Sequence, residues 1–244
     1  MKKINILMLF IGVLFAYEAQ VKPFEKYNIT SSVAGEVIAS KKDKEADVYT
    51  GVIVKIDDKQ DLIDLKNVNS QIDLTKQEIE NQKEVVKRKY QIYKKYQNLK
   101  TKSQEVKNLK FYDYIAAKNQ LIALNSKLDD LISKRDKLKD IIDKKNIKVN
   151  GYIEAVLVKK GDYVAPGKVV AVVDDISKEK LTIYVPIEKI DQIKNKTVYI
   201  NGKKSNFKIY KIWKTPDSQY ITSYKVELVG NGLKIGDIVK IVLK

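Results

Sequence analysis

Apolar residues recur every seven positions from Leu65 onward: Leu65, Ile72, Ile79, Val86 and Tyr93. Three residues further on lie Val68, Thr75, Gln82, Lys89 and Tyr96, so this seam turns polar in its middle. A second register reads Tyr114, Leu121, Leu128, Arg135 and Ile142, with Ala117, Leu124, Leu131 and Leu138 as companions. A seven-residue repeat keeps one helix face apolar and predicts a left-handed coiled coil. No proline falls between Pro23 and Pro166, and no glycine between Gly51 and Gly151, so nothing breaks either helix. The pattern fades between about Leu99 and Leu109, where Ser103 with Glu105 or Asn108 is placed to cap a second helix.

On both sides of the heptads the period changes. Gly151-Tyr-Ile-Glu-Ala-Val-Leu-Val-Lys-Lys-Gly161-Asp-Tyr-Val-Ala-Pro166-Gly167 and Val169–Asp174 alternate as short strands with glycine turns. A shorter, looser copy runs through Val33-Ala-Gly35-Glu-Val-Ile-Ala-Ser and Gly51-Val-Ile-Val-Lys-Ile-Asp57. Two related half-domains can pair only if the helical arms return to their start. The helices therefore form a hairpin and not one continuous rod, each arm of roughly 40 residues extending about 60 Å. The polar positions Gln82 and Lys89 leave two readings open: sideways packing against neighbouring hairpins, or a loose seam beside solvent.

Beyond Asp175, strands at Leu181–Val185, Thr197–Ile200, Phe207–Trp213, Tyr220–Leu228 and Ile238–Leu243 are separated by turn signals, with a helical turn at Ile187–Ile193. Short strands at this spacing predict a small barrel. Gly230-Asn-Gly232 has no helix after it and reads as a turn, not a phosphate loop.

At the start, Lys2 and Lys3 precede an apolar run, Ile4 to Ala16. The run is too short to span a bilayer and has the length of a secretory h-region, so residues 1–19 are expected to be a signal peptide cut after Ala16 or Ala19. An uncleaved anchor is the alternative. The 244 residues contain neither cysteine nor histidine, which excludes lipidation of a cysteine, Cys/His zinc sites, Ser-His-Asp triads and thiol chemistry. The remaining carboxylate pairs, Asp57-Asp58 and Asp174-Asp175, close β-runs, where aspartate is an ordinary turn residue. No enzyme and no cofactor is expected.

The net charge is +16. Between Lys87 and Lys110 nine basic residues face one acid, Glu105, so this window alone carries +8. The excess sits where the hairpin turns; elsewhere the helices alternate in sign as a solvated exterior does. A secreted chain meets little nucleic acid, and no nucleic-acid partner is expected.

The stretch Gly151-x-Ile-x-x-Val-x-Val-x-x-Gly161-Asp-x-Val-x-x-Gly167-x-x-Val-x-x-Val-Asp174 resembles the second half of the lipoyl-like domain of HlyD-like periplasmic adaptors, the membrane fusion proteins of tripartite efflux and secretion systems. Val185-Pro-Ile-Glu resembles the start of that family's barrel, and Gly232-Leu-Lys-Ile-Gly236-Asp-Ile-Val-Lys-Ile its last strand. The order of parts matches over nearly the whole mature chain.

The resemblance implies an α+β fold: a lipoyl-like β-sandwich split by a long coiled-coil hairpin, then a small β-barrel. The expected boundaries are a barrel-joining strand at 20–30, lipoyl-like halves at 31–58 and 149–176, the hairpin at 59–148 with its tip at about 99–110, and the barrel at 177–244. It also implies a periplasmic location at the inner membrane of a Gram-negative bacterium. The implied partners are an inner-membrane transporter of RND or ABC type, an outer-membrane channel, and a homo-oligomeric ring of six. Lys94, Lys95, Leu99, Lys100, Lys102, Ser103 and Asn108 are the candidate channel-binding residues. Lys95 and Leu99 stand for two of the family's three tip residues, but Val106 occupies the place of the third, a serine.

Two other readings are weighed against this one. Lys42-Asp43-Lys44-Glu45-Ala46 is one residue off a lipoyl or biotinyl carrier turn, and a solvated charged turn is the default. A secreted coiled-coil structural or adhesion protein, with β-domains only capping the rod, is the main functional alternative.

Overall fold

The computed structural model describes residues 16–244. The apolar run expected to be a signal peptide lies, apart from Ala16, outside the described residues. The first two strands are β1 (Ala16–Gln20) and β2 (Lys22–Thr30). Next come β3 (Gly35–Ser40) and β4 (Val48–Ile56), joined through a 3₁₀ turn at Lys42–Lys44. The hairpin is α1 (Lys59–Gln97) and α2 (Gln104–Lys144). The chain returns as β5 (Asn146–Val156), β6 (Tyr163–Val164) and β7 (Val169–Pro186). After a 3₁₀ turn at Ile187–Gln192 follow β8 (Val198–Ile200), β9 (Lys203–Lys204), β10 (Lys208–Pro216), β11 (Ser223–Gly230) and β12 (Ile238–Leu243).

The two β-halves meet as their kinship predicts. Strand β4 runs antiparallel to β5, pairing Val48 with Tyr152 and Lys55 with Asn146, while β3 pairs with β6. Val37, Ile53, Val54 and Ile56 from the first half share one core with Ile147, Val149, Ile153, Val156, Val164, Val170 and Val173 from the second. Each such aliphatic side chain stabilises the fold by about 1.5–3 kcal/mol on burial. The lysines of the candidate carrier turn lie on the exposed to half-exposed 3₁₀ turn between β3 and β4.

The hairpin roots in that core through backbone and side chain together. The Ile56 N–H donates to the Lys145 carbonyl at 2.9 Å, and the Lys145 ammonium donates to the Asp57 carbonyl at 2.7 Å and pairs with the Asp61 carboxylate. Along the arms, Val68, Ile72, Thr75 and Ile79 of α1 and Ala117 of α2 are buried. Leu65, Val86, Tyr93, Leu121, Leu124, Leu128, Leu131 and Leu138 are half-buried on the same facing surfaces. Two helices cover only one side of each seam residue, which leaves the leucines partly open.

The polar seam positions both find a partner within the hairpin while remaining partly open to solvent, Lys89 with 41% of its side chain exposed. Gln82 Nε2 donates to the Ala117 carbonyl at 2.8 Å, and Lys89 Nζ lies 3.5 Å from the Asp113 carboxylate. Ala117 is small, so the arms approach closely enough for Gln82 to reach across. Both groups are satisfied inside one hairpin.

The second β-module departs from expectation in one respect. Its strands do not close into a barrel: β1-β12-β8-β9 form one sheet, and β10-β11-β7 belong to the larger sheet that continues through β5-β4-β3-β6. The two open sheets enclose one core, including Val21, Leu181, Ile183, Val185, Phe207, Val226, Leu228 and Ile241. The strands left at the facing edges are β9, two residues long, and β10, whose pairing with β11 shifts register toward Pro216.

Ala16–Gln20 pairs with β12, Val21 lies in this module's core, and Lys22–Thr30 lies along β7, from Lys180 back to Val169. Ala16–Ala19 therefore belong to β1, with Ala19 buried. Strand β7 serves both modules: its first half pairs with β5 and its second with β11.

Candidate functional site

The hairpin tip is built from the last turns of α1, the connection at 98–103 and the first turns of α2. The connection is short because each end is sealed locally. The Leu99 N–H donates to the Tyr96 carbonyl at 3.2 Å, and Ser103 Oγ accepts from the Val106 N–H at 3.4 Å as the N-cap of α2. Asn108 accepts from Gln104 Nε2 at 2.9 Å, within its own helix.

Lys94 and Lys95 occupy the last turn of α1, where the partial negative charge of the helix end favours cations. Lys100, Lys102 and Ser103 are exposed and Leu99 is half-buried. Lys89 and Lys110 share the Asp113 carboxylate, each at 3.5 Å, and Lys87 approaches Glu84 at 3.8 Å. Among the described residues, Lys95, Lys100, Lys102 and Lys107 have no carboxylate within 4.0 Å. Their charge is therefore uncompensated and projects from the turn.

An aromatic cluster beneath these lysines was not anticipated. Tyr90 lies 5.3 Å from Tyr114, Tyr93 lies 5.4 Å from Phe111, and the rings of Tyr93 and Tyr114 stack at 6.2 Å with an interplanar angle of 3°. Lys94 stands 5.7 Å over the Tyr90 ring and Lys110 stands 5.9 Å over that of Tyr96. Such ring pairs contribute about 0.5–1.5 kcal/mol each, which secures the arms where aliphatic seam residues run out. Tyr112 joins the cluster's edge, its ring 5.9 Å from that of Phe111, and with Leu109 stays open to solvent, 64% and 55% exposed. The available signal was density: five of the chain's 15 tyrosines fall between Tyr90 and Tyr114. A rigid, basic surface with tyrosines at its rim suits protein recognition.

A second polar cluster lies where the β-modules meet. Gln20, Lys22, Lys26, Asp174, Lys180 and Gly236 line a cleft of about 480 Å³. Lys26 pairs with Glu154 at 2.5 Å and Lys180 with Glu25 at 3.5 Å. Asp174 is buried, and its Oδ1 makes no hydrogen bond among the described residues. Burial raises its pKa above the ordinary carboxylate value; the Glu154 charge adds to this and Lys26 opposes it. Its neighbour Asp175 is shifted the other way because Ser177 hydrogen-bonds the carboxylate.

These shifts have opposite consequences. For Asp174 the folded chain holds its proton more tightly than the unfolded chain, so stability falls as pH rises from the ordinary carboxylate range through the raised value. For Asp175 stability is present above the ordinary value and is lost as pH falls through the depressed one. Asp174→Asn isolates the first effect. We expect it to be more stable than the parent by about 1 kcal/mol near pH 7, the difference closing toward pH 4, as measured by urea unfolding.

Among the described residues, no cluster of three or more carboxylates is placed to hold a metal ion, and no helix is long and apolar enough to cross a membrane.

No family model and no curated relative matches the sequence. Solved structures do match. MacA from Actinobacillus actinomycetemcomitans superposes with a TM-score of 0.73 at 14% identity, over 94% of this chain and 78% of that one. A MacA-MexA chimeric protein with the Pseudomonas aeruginosa MexA α-hairpin gives 0.63 at 14% identity, over 94% and 78%. The membrane fusion protein Spr0693 from Streptococcus pneumoniae R6 gives 0.64 at 12% identity, over 94% of this chain and 99% of that one. The fold is that of a membrane fusion protein. A likeness over 94% of this chain takes in both β-modules as well as the helices.

Proposed function

We propose that this chain is the adaptor subunit of a tripartite efflux or secretion pump, bridging an inner-membrane transporter and an outer-membrane channel across the periplasm. The observation that carries this reading is the pairing of the membrane fusion protein fold with an uncompensated basic tip on a long hairpin. The β-modules face the transporter, of RND or ABC type, and associate into a homo-oligomeric ring, six protomers by resemblance. The tip residues Lys94, Lys95, Leu99, Lys100, Lys102, Ser103 and Asn108 meet the channel. The work done is assembly and not chemical turnover.

The adhesion-protein alternative treats the β-domains as caps, and it gives no reason for the fold likeness to extend over both of them. Photo-crosslinkers placed from Leu99 to Lys110 in intact cells separate the two readings. The adaptor reading expects an outer-membrane channel in the crosslinked product. Capture of extracellular or no protein would overturn it.

A further inference from the structure

The positive charge of the chain gathers in two places. The hairpin turn carries +8, and between Gln192 and Pro216 seven lysines meet no aspartate or glutamate. These two windows hold all but one of the +16. The second window lies in the second β-module, on the turn before β8, the β8–β9 pair and β10.

Antiparallel pairing of Tyr199 with Lys204 and Ile200 with Lys203 returns the chain beside the residues that precede β8. Ser205 secures this return: its N–H and its hydroxyl both donate to the Val198 carbonyl, at 3.0 and 2.9 Å. Thr197 is held in turn by two backbone hydrogen bonds exchanged with Lys244, at 2.7 and 3.0 Å. Phe207 is buried against Gly230, where a Cβ would overlap its ring. The backbone is fixed on both sides, and a cleft of about 400 Å³ lies there.

Lys194, Lys196, Thr197, Lys204, Asn206 and Lys208 line this cleft together with the buried Val198 and Phe207, and no lining residue is acidic. Lys194 pairs with Asp191 at 3.0 Å, both side chains largely exposed. Among the described residues, Lys196, Lys204 and Lys208 have no carboxylate within 4.0 Å. Asn206 Oδ1 accepts from the Asn231 N–H at 3.3 Å, which leaves its amide nitrogen to donate. A neighbouring cleft of about 470 Å³ shares Lys204 and Asn206, adds Lys203, and again has no acid.

Three segments thus bring ammonium groups to one concave space with apolar side chains in its walls, where charges are screened less than on an open surface. The complementary ligand is compact, multiply charged and rich in acceptors. A phosphoryl group has that chemistry: its oxygens accept from several directions, while a planar carboxylate is best matched by an arginine fork. We propose that this cleft binds a phosphoryl group, as free phosphate or as a lipid headgroup. The adaptor reading assigns no ligand here, and the site stands without it.

Lysine reactivity reads the site directly. The full chain is acetylated with an uncharged N-hydroxysuccinimide ester in sodium phosphate and in sodium chloride of equal ionic strength, and each lysine is followed by mass spectrometry. Phosphate should slow Lys196, Lys204 and Lys208 about fivefold, while Lys100 and Lys102 at the hairpin tip change less than about twofold. Vesicles of phosphatidylcholine with or without phosphatidic acid form the second arm. Selective slowing by phosphate assigns a free ligand, and slowing by phosphatidic acid alone assigns a headgroup. Lys196→Gln with Lys208→Gln should abolish the slowing of Lys204 without changing the circular dichroism. Asn206→Asp keeps the acceptor for Asn231 but sets a carboxylate in the cleft, and should abolish it independently.

If neither arm slows the cleft lysines more than the tip lysines, the effect is general screening or absent and the proposal is overturned. Slowing of Lys204 that survives in both variants overturns it as well.

Discussion

On the adaptor reading proposed above, replacing Lys94, Lys95, Lys100 and Lys102 by glutamate slows association with the channel captured by the tip crosslinkers about 100-fold at low salt and abolishes its salt dependence. The size of the effect follows from position. Lys95, Lys100 and Lys102 have no carboxylate within 4.0 Å among the described residues, and Lys94 stands over the Tyr90 ring. Long-range steering acts on the association rate, so the dissociation rate should change far less. The hairpin itself tolerates the change, because reversing exposed charges near a helix end costs about 0.3–1 kcal/mol each. Stopped-flow association across a salt series, with helical circular dichroism as the folding control, reads both quantities. Unchanged association at every salt concentration would rule out charge steering by the tip.

Gly151→Val lowers stability by about 4 kcal/mol, combining backbone strain with overpacking. Gly151 has a φ of +152°, and a Cβ there would stand 2.8 Å from Val173 Cγ1 and 2.9 Å from the Asp174 carbonyl oxygen. The carbonyl belongs to β7 and cannot move without disturbing the shared strand. Gly167→Ala is the control: its φ of +87° is also unfavourable, but no atom lies within 4 Å of the new Cβ. That change should cost only about 1 kcal/mol, from backbone conformation alone. Urea midpoints of the two variants test the comparison, and equal losses would show that the close approach to β7 does not matter.

The same glycine illustrates what was legible in the sequence. Its place in the motif from Gly151 to Asp174 marked the lipoyl-like half, because close strand approach leaves a compositional trace. The heptads marked the arms for a similar reason: Leu65, Ile72 and Ile79 must face Leu121, Leu128 and their companions. The tyrosine cluster was less legible, since Tyr90 and Tyr114 become neighbours only once the arms fold back. Strand β7 was read as two strands because Ile176-Ser-Lys-Glu-Lys180 is polar. Its pairing with β2 and the Lys180–Glu25 ion pair sustain the extended backbone there. Closure of the barrel was not readable at all. It depends on whether edge strands as short as β9 find partners, and alternation within a strand carries no information about that.

Strand β7 also decides how the molecule bears load. The two β-modules are not beads on a flexible string, because one strand of 18 residues, Val169–Pro186, runs through both, with Val170, Ala171 and Val173 in one core and Leu181, Ile183 and Val185 in the other. At about 3.3 Å per residue this is a beam of roughly 60 Å. Tension between the hairpin root and the opposite module would shear the β2–β7 ladder lengthwise, so its hydrogen bonds resist together and do not open one by one. A displacement at one end is therefore delivered to the other, where a linker would have dissipated it.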